Sequence, residues 1–288
     1  MNAILKREFR SYMNNATGFV FLSCLLLVAG LLCVAMNVLL GSSRFEDSLY
    51  YLQIALIVLI PLLTMRTMTE EKRAHTDQLL YSLPLPLWKI VLGKYLAMVA
   101  VFGIACAIIA LYPLLFGLFG MTGMGTAYSS IFGFFLLGSA LIAFSMFFSS
   151  LAETPLIAMI ICVVATAVLF CVDMFVALLS AVGAVGSLVV LIVLALLVAL
   201  IVWLVTKHAT LSAVVALIGV APQVIVFAIN SSLYDGLLYR VASSLALFYR
   251  FTVFTRGIFD LTTLIYDISF AALFLYLTYQ AMEKRRWS

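Results

Sequence analysis

The chain has 288 residues, 66% hydrophobic and 10% charged, with a mean hydropathy of +1.24. A soluble domain carries about 45–50% apolar and about 25% charged residues, so this chain is built for a bilayer. A net charge of +4 is too small for a nucleic-acid binder, and the alternating segments of about ten residues that make a membrane barrel are not found, which leaves helices to do the spanning.

In chain order, residues 1–16 come first. Leu5, Phe9, Tyr12 and Met13 recur at i, i+4, i+7 and i+8, with Lys6, Arg7 and Arg10 around the other side. That pattern predicts a helix lying in the membrane interface. Uncharged runs then predict spans at about 17–41, 51–65, 95–119, 130–151, 156–178, 185–206, 211–229 and 263–282. The apolar run Phe19–Leu40 exceeds the core of a cleavable signal and no A-x-A site follows it, so it stays as the first span. Pro61 and Pro222 fall inside spans and would loosen their helices. The five cysteines, Cys24, Cys33, Cys106, Cys162 and Cys171, also fall inside spans without C-x-x-C spacing, and read as packing residues. Asp173 is the intramembrane acid singled out, placed near the outer interface. His75 and His208 lack partners at zinc spacing, and the Met121/Met124 loop reads as flexible glycine-rich chain, so no metal site is expected.

Lysine and arginine counts give the orientation. With the N-terminus inside, Lys6, Arg7, Arg10, Arg66, Lys72, Arg73, Lys89, Lys94, Lys207, Lys284, Arg285 and Arg286 fall on the cytoplasmic side, against Arg44, Arg240, Arg250 and Arg256 outside. Eight spans then put both termini in the cytoplasm. The expected fold is an all-α integral membrane protein of the cell membrane, one transmembrane domain over 1–288.

The long inside loop, 66–94, carries most of the chemistry. Thr67 and Glu70 have capping-box spacing, which predicts a helix start at Thr67 running to about Ser82. Leu83-Pro84-Leu85-Pro86 stops it, and Leu79, Leu80, Leu83, Leu85, Leu87 and Trp88 form an apolar cluster outside the membrane core. Such a cluster suits either a protein dock or a seat on lipid headgroups. On the outer side, 231–262 mixes aromatic with charged residues, too polar to span and too apolar for a free loop, which predicts amphipathic helices.

The run Met65-Arg66-Thr67-Met68-Thr69-Glu70-Glu71-Lys72-Arg73, with Thr76, Leu79-Leu80, Ser82, Pro84 and Ile90–Ala97, resembles the cytoplasmic segment of ABC-2 type permeases. It is closest to the gliding-motility and multicopper-enzyme-maturation type. Phe254–Leu261, Tyr266, Ser269 and Arg285-Arg286-Trp287 resemble that group's last outer segment and final span. His75, Asp77 and Gln78 depart from the pattern, and the eight spans exceed the usual six, so 185–229 reads as an inserted hairpin.

The resemblance implies a permease subunit that pairs with a second permease subunit, as homo- or heterodimer, and is driven by a separate cytoplasmic ATP-binding subunit that holds ATP and Mg. ATPase coupling would fall to Glu70, Glu71, Lys72, Arg73, Thr76, Leu79, Leu80, Pro84, Trp88, Gly93 and Lys94. An outer gate would involve Phe254, Gly257, Asp260 and Tyr266. The residues agree with that division of labour: the one Gly-Lys, Gly93-Lys94, is followed by Tyr95 and preceded five positions earlier by Trp88, so no P-loop forms there. Neither a catalytic residue nor a cofactor held by this chain is expected. Export of an undetermined substrate is the leading reading; an ion- or proton-coupled secondary transporter, or a membrane scaffold without transport, are the rivals.

Overall fold

A computed structural model describes residues 2–42, 44–73, 86–118, 123–179, 183, 185–193, scattered positions between 219 and 243, and 246–287. The main elements are α1 (Asn2–Asn14), α2 (Ala16–Cys33, continued by a π-helical turn over Val34–Leu39), α3 (Phe45–Arg73), α4 (Leu87–Ile109), α5 (Leu111–Leu118), α6 (Met124–Leu151), α7 (Pro155–Leu179), α8 (Leu247–Thr255) and α9 (Leu261–Trp287). Among the described residues there is no strand. Two compact units result: Met1–Phe170 together with Leu247–Ser288, and Cys171–Ala246.

Six helical stretches are long and apolar enough to cross a membrane among the described residues: Ala16–Leu39, Phe45–Glu70, Leu87–Gly117, Met124–Leu151, Pro155–Val176 and Leu261–Lys284. They correspond to six of the expected spans. The expected spans at 185–206 and 211–229 lie mostly outside the described residues, although 185–193 is helical. The second span corrects its expected bounds of 51–65. It starts at Phe45, six residues earlier, with Glu46 and Asp47 in the first turn where acid suits the helix dipole. At 29 residues α3 is about 44 Å long against a hydrocarbon core of about 30 Å, so it stands out of the membrane at an end.

Helix α6 is the hub of the larger unit, packed by α3, α4, α8 and α9. Outer helices show lipid an apolar stripe, as on α7, where Leu156, Ile160, Val164 and Val168 recur every fourth residue and are all exposed. Contacts fix the direction of each helix. Phe21 meets Phe102 and Gly30 lies near Tyr112, so α2 and the α4–α5 span run the same way. Tyr95 reaches Ser139 while Phe102 stacks on Phe135, so α6 runs against α4. Phe132 pairs with Phe259 and Phe144 with Phe270, so α9 runs with α6. Cys162 bonds Ser145 and Thr166 bonds Ile57, while Ser149 bonds Thr64, so α7 runs against both α6 and α3. Directions thus alternate through α2, α3, α4–α5, α6 and α7, and α9 returns in the sense opposite to α7. Both ends of this unit lie at the same end of the bundle.

Prolines mark two irregularities with a physical cause. Pro113 cannot donate to Ile109, and the span breaks at Ala110 between α4 and α5, where the Tyr128 hydroxyl donates to the Ala110 carbonyl at 3.3 Å. Pro61 sits inside α3 and leaves Ile57 without its amide donor, and the Thr166 hydroxyl of α7 reaches that carbonyl at 3.0 Å. In the smaller unit, Tyr234 is buried, donates to the Gln223 carbonyl at 2.9 Å and packs edge-on against Phe227.

Candidate functional site: two ends of one bundle

At the end that carries the termini, α1 lies across the starts of α2 and α4. Its Ile4, Leu5, Phe9, Tyr12 and Met13 turn toward protein while Lys6, Arg7 and Arg10 remain exposed, in keeping with the amphipathic pattern of the sequence. The approach is backbone-close: a Cβ on Gly18 would come within 2.2 Å of the Tyr12 carbonyl oxygen, so a larger residue would push α1 off α2. A Cβ on Gly93 would stand 3.0 Å from Ile4, so α1 also seats on the first turns of α4.

The two helix ends that flank the 66–94 loop are tied to each other. Lys94 is 1% exposed, and its Nζ donates to the Thr67 carbonyl at 2.7 Å. Tyr12 and Thr67 share a hydroxyl–hydroxyl bond of 2.5 Å, and Thr67 also contacts the Met98 sulfur at 3.2 Å. The expected helix start at Thr67 is therefore corrected: Thr67 lies inside the continuous α3, and its hydroxyl faces α1 and α4 rather than capping. Glu70 does not reach back to the Thr67 amide but pairs with Arg66 one turn earlier, at 3.5 Å, on the exposed side.

Of the residues expected to couple, Glu70 and Trp88 are exposed beyond this junction, with the Lys89 ammonium 5.6 Å from the Trp88 ring centre. Gly93 and Lys94 are buried within it. Glu71, Lys72 and Arg73 belong to the last turn of α3. Thr76, Leu79, Leu80 and Pro84, with most of the expected apolar cluster, lie outside the described residues, as do His75, Asp77 and Gln78. The structure thus seats Gly93 on α1 and ties Lys94, a lysine whose burial no loop pattern announced, to it through Thr67, and leaves Glu70 and Trp88 exposed beyond them.

At the opposite end, the expected gate residues gather. α8 closes in a Schellman turn: Gly257 N–H donates to Phe254 O at 2.9 Å and Ile258 N–H to Val253 O at 3.4 Å, with Gly257 at φ 76°. A Cβ there would also meet the Thr126 methyl at 2.4 Å. Phe254 is fully buried and its ring packs edge-on against Phe259 at 6.1 Å, while its carbonyl accepts from Ser130 at 3.1 Å. Asp260 is the N-cap of α9: it accepts from Thr262 N–H at 3.0 Å, from Thr263 N–H at 3.3 Å and from the Thr263 hydroxyl at 2.8 Å. The Thr263 hydroxyl first, and the Thr262 amide next, hold its carboxyl below the ordinary carboxylate range. Tyr266 lies one turn on, under the Arg250 guanidinium at 3.9 Å. Arg44, from the α2–α3 turn, donates to the Thr255 carbonyl at 3.3 Å and ties that turn to the group.

The amphipathic helices expected over 231–262 are present in part, as α8, whose Leu247, Phe248, Phe251 and Phe254 face the bundle. Asp173 lies in α7, as expected. The sequence reading passed over Asp267, which lies inside the expected last span and is 4% exposed, and over Glu46 at 3%. With Lys94 these are ionisable side chains buried among the described helices, beyond the one intramembrane acid, Asp173, that the sequence singles out. A scan for acids inside the 263–282 window finds Asp267 directly. No group of three or more His, Cys, Asp or Glu side chains is poised to hold a metal among the described residues.

A family model described as ABC-2 family transporter protein matches residues 37–182, just over half of the chain, from the π-turn of α2 past the end of α7 and across the 66–94 loop. No curated protein and no solved structure matches.

Proposed function

Since the chain belongs to the ABC-2 transporter family and is a multi-pass membrane permease, we propose that it is the membrane subunit of an exporter powered by a separate cytoplasmic ATP-binding subunit. In this reading it works as a dimer with a second permease subunit in the cell membrane, and both ATP and Mg sit on the partner. The end that carries α1, Glu70 and Trp88 faces the cytoplasm, in line with the excess of lysine and arginine on that side. The observation that carries the reading is the Lys94–Thr67 bond. It makes the two helices flanking the 66–94 loop one lever, so a push on that loop is delivered to α3 and α4 together instead of being lost in a hinge. Substrate is not assigned, nor the gliding-motility or multicopper-maturation subtype.

Co-purification with a candidate cytoplasmic ATP-binding subunit tests this. Joint replacement of Glu70, Glu71 and Trp88 by alanine should abolish permease-stimulated ATP hydrolysis and transport. Persistence of both would refute the docking role. Transport by the chain alone in liposomes would instead favour ion coupling.

A further inference from the structure

Below the Gly257 turn the larger unit holds a cleft of about 190 Å³ between α4, α6 and α9, lined by Tyr95, Leu136, Ser139, Asp267, Ile268 and Ala271, with Ala272 and Leu275 continuing along α9. Its walls are apolar apart from three polar side chains, and two of those have used their protons. The Tyr95 hydroxyl donates to the Ser139 carbonyl at 3.3 Å and the Ser139 hydroxyl to Leu136 O at 2.7 Å. Asp267 has not been satisfied: it is 96% buried, as the complement of its 4% exposure, and Oδ1 has no hydrogen-bond partner. A buried carboxylate without a donor is costly and calls for one.

Arg250 lies outside the cleft's lining but within electrostatic range of this carboxylate, stacked on neighbouring Tyr266; no ion pair closes between them, and its Nε also has no partner. An acid and a base held near each other but apart match a zwitterion placed between them. Depth adds an orientation. Asp267 is about 9 Å along α9 from Leu261, and Leu275 about 12 Å deeper, so the polar end of the cleft lies toward the membrane surface and the apolar end toward its middle. Ile268 is 55% exposed, so the cleft opens on the lipid side of α9.

We propose that this cleft binds one phospholipid bearing a primary ammonium headgroup, the ammonium donating to Asp267, the phosphate facing Arg250, and an acyl chain lying along Ala271, Ala272 and Leu275. A primary ammonium supplies the hydrogen-bond donors that the carboxylate lacks, which a quaternary choline headgroup does not, while an anionic glycerol headgroup would be repelled. The site goes beyond the permease reading and does not depend on transport or on the ATPase.

Native mass spectrometry of the full-length chain in detergent, titrated with dioleoyl phosphatidylethanolamine, phosphatidylcholine or phosphatidylglycerol, tests it. Wild type should retain the ethanolamine lipid at least tenfold more strongly than the glycerol lipid. Asp267→Asn should remove that preference, and Ala272→Leu, which keeps the charge but fills the chain end, should weaken retention of the ethanolamine lipid with an unchanged size-exclusion profile. Equal retention of the three lipids by wild type would overturn the proposal. So would an Asp267→Asn protein that keeps the preference, or a disulfide between Ile268→Cys in two copies that forms with no lipid retained. Should Asp267→Asn fail to fold, unchanged ethanolamine-lipid retention by Ala272→Leu overturns it and weakened retention supports it.

Discussion

Thr166 has one hydroxyl proton and three carbonyls in reach: Cys162 O at 2.8 Å, Val163 O at 3.0 Å and Ile57 O at 3.0 Å. The first two already accept amides of α7, whereas Ile57 faces Pro61 and has none. An unmet buried carbonyl costs about 1–3 kcal/mol in soluble proteins, and hydrogen bonds between membrane helices average about 0.6 kcal/mol. Thr166→Val should therefore destabilise the folded chain by about 1 kcal/mol. In a Pro61→Ala background, where residue 61 donates to Ile57, the same change should cost little. A double-mutant cycle read by thermal unfolding in detergent decides it, and equal costs in both backgrounds would assign the loss to packing instead. Asp260 offers a second test, in acid. Its folded pKa is lowered, so the cap is fully formed above the ordinary carboxylate range near ~3.9 and fades as pH falls through the lowered value. Hydrogen exchange at Thr262 and Thr263 should show protection at pH 5 that weakens only below that range. Asp260→Ala should remove the pH step and about 1 kcal/mol of cap stabilisation.

At the scale of elements, one buried ammonium ties α3 to α4 beneath α1. A hydrogen bond to a charged group is worth about 1.5–3 kcal/mol, enough to shift the balance between locked and loosened helix ends by tenfold or more. Lys94→Met keeps the length and the apolar stem but loses the donor. It should leave binding of the ATP-binding subunit intact in a pull-down while lowering permease-stimulated hydrolysis about tenfold; reduced binding instead would make Lys94 part of the dock itself. The amphipathic pattern of α1 was legible because Leu5, Phe9, Tyr12 and Met13 share a face and that face is indeed the packed one. The role of Thr67 was not legible. Its spacing to Glu70 matches a capping box in a loop as well as in mid-helix, and what separates the two is whether α3 ends at the membrane or stands out of it. Hydropathy marks where the apolar run stops and says nothing of a helix continuing into water. Lys94 was read as part of a coupling loop because the family resemblance placed it there, and its burial depends on α3 and α1 closing over it.

For the whole molecule, span positions were readable because apolar runs of about 20 residues have one stable solution in lipid. The number of crossings between 171 and 246 was harder, since the boundaries there rest on small residues. α7 and α9 run in opposite senses within one unit, and Phe170 touches Phe248 with ring centroids 5.4 Å apart, so the chain leaves and re-enters that unit at one level. A linker too short to cross the membrane can therefore join those two points. Replacing 171–246 by a short flexible linker should accordingly leave α9 in its native sense, with reporters at the two termini still on the same side. A C-terminal enzyme reporter that is active only in the cytoplasm reads this directly in cells. Activity kept by the shortened chain, at a level set only by its abundance, is the expected result. Loss of activity with the protein still membrane-inserted would mean that α9 has flipped, and that its contacts with α6 do not hold its direction. The ring pairs Phe144–Phe270 and Phe144–Phe274, 5.9 and 4.8 Å between centroids, argue that they do, because turning α9 end for end would break both at once.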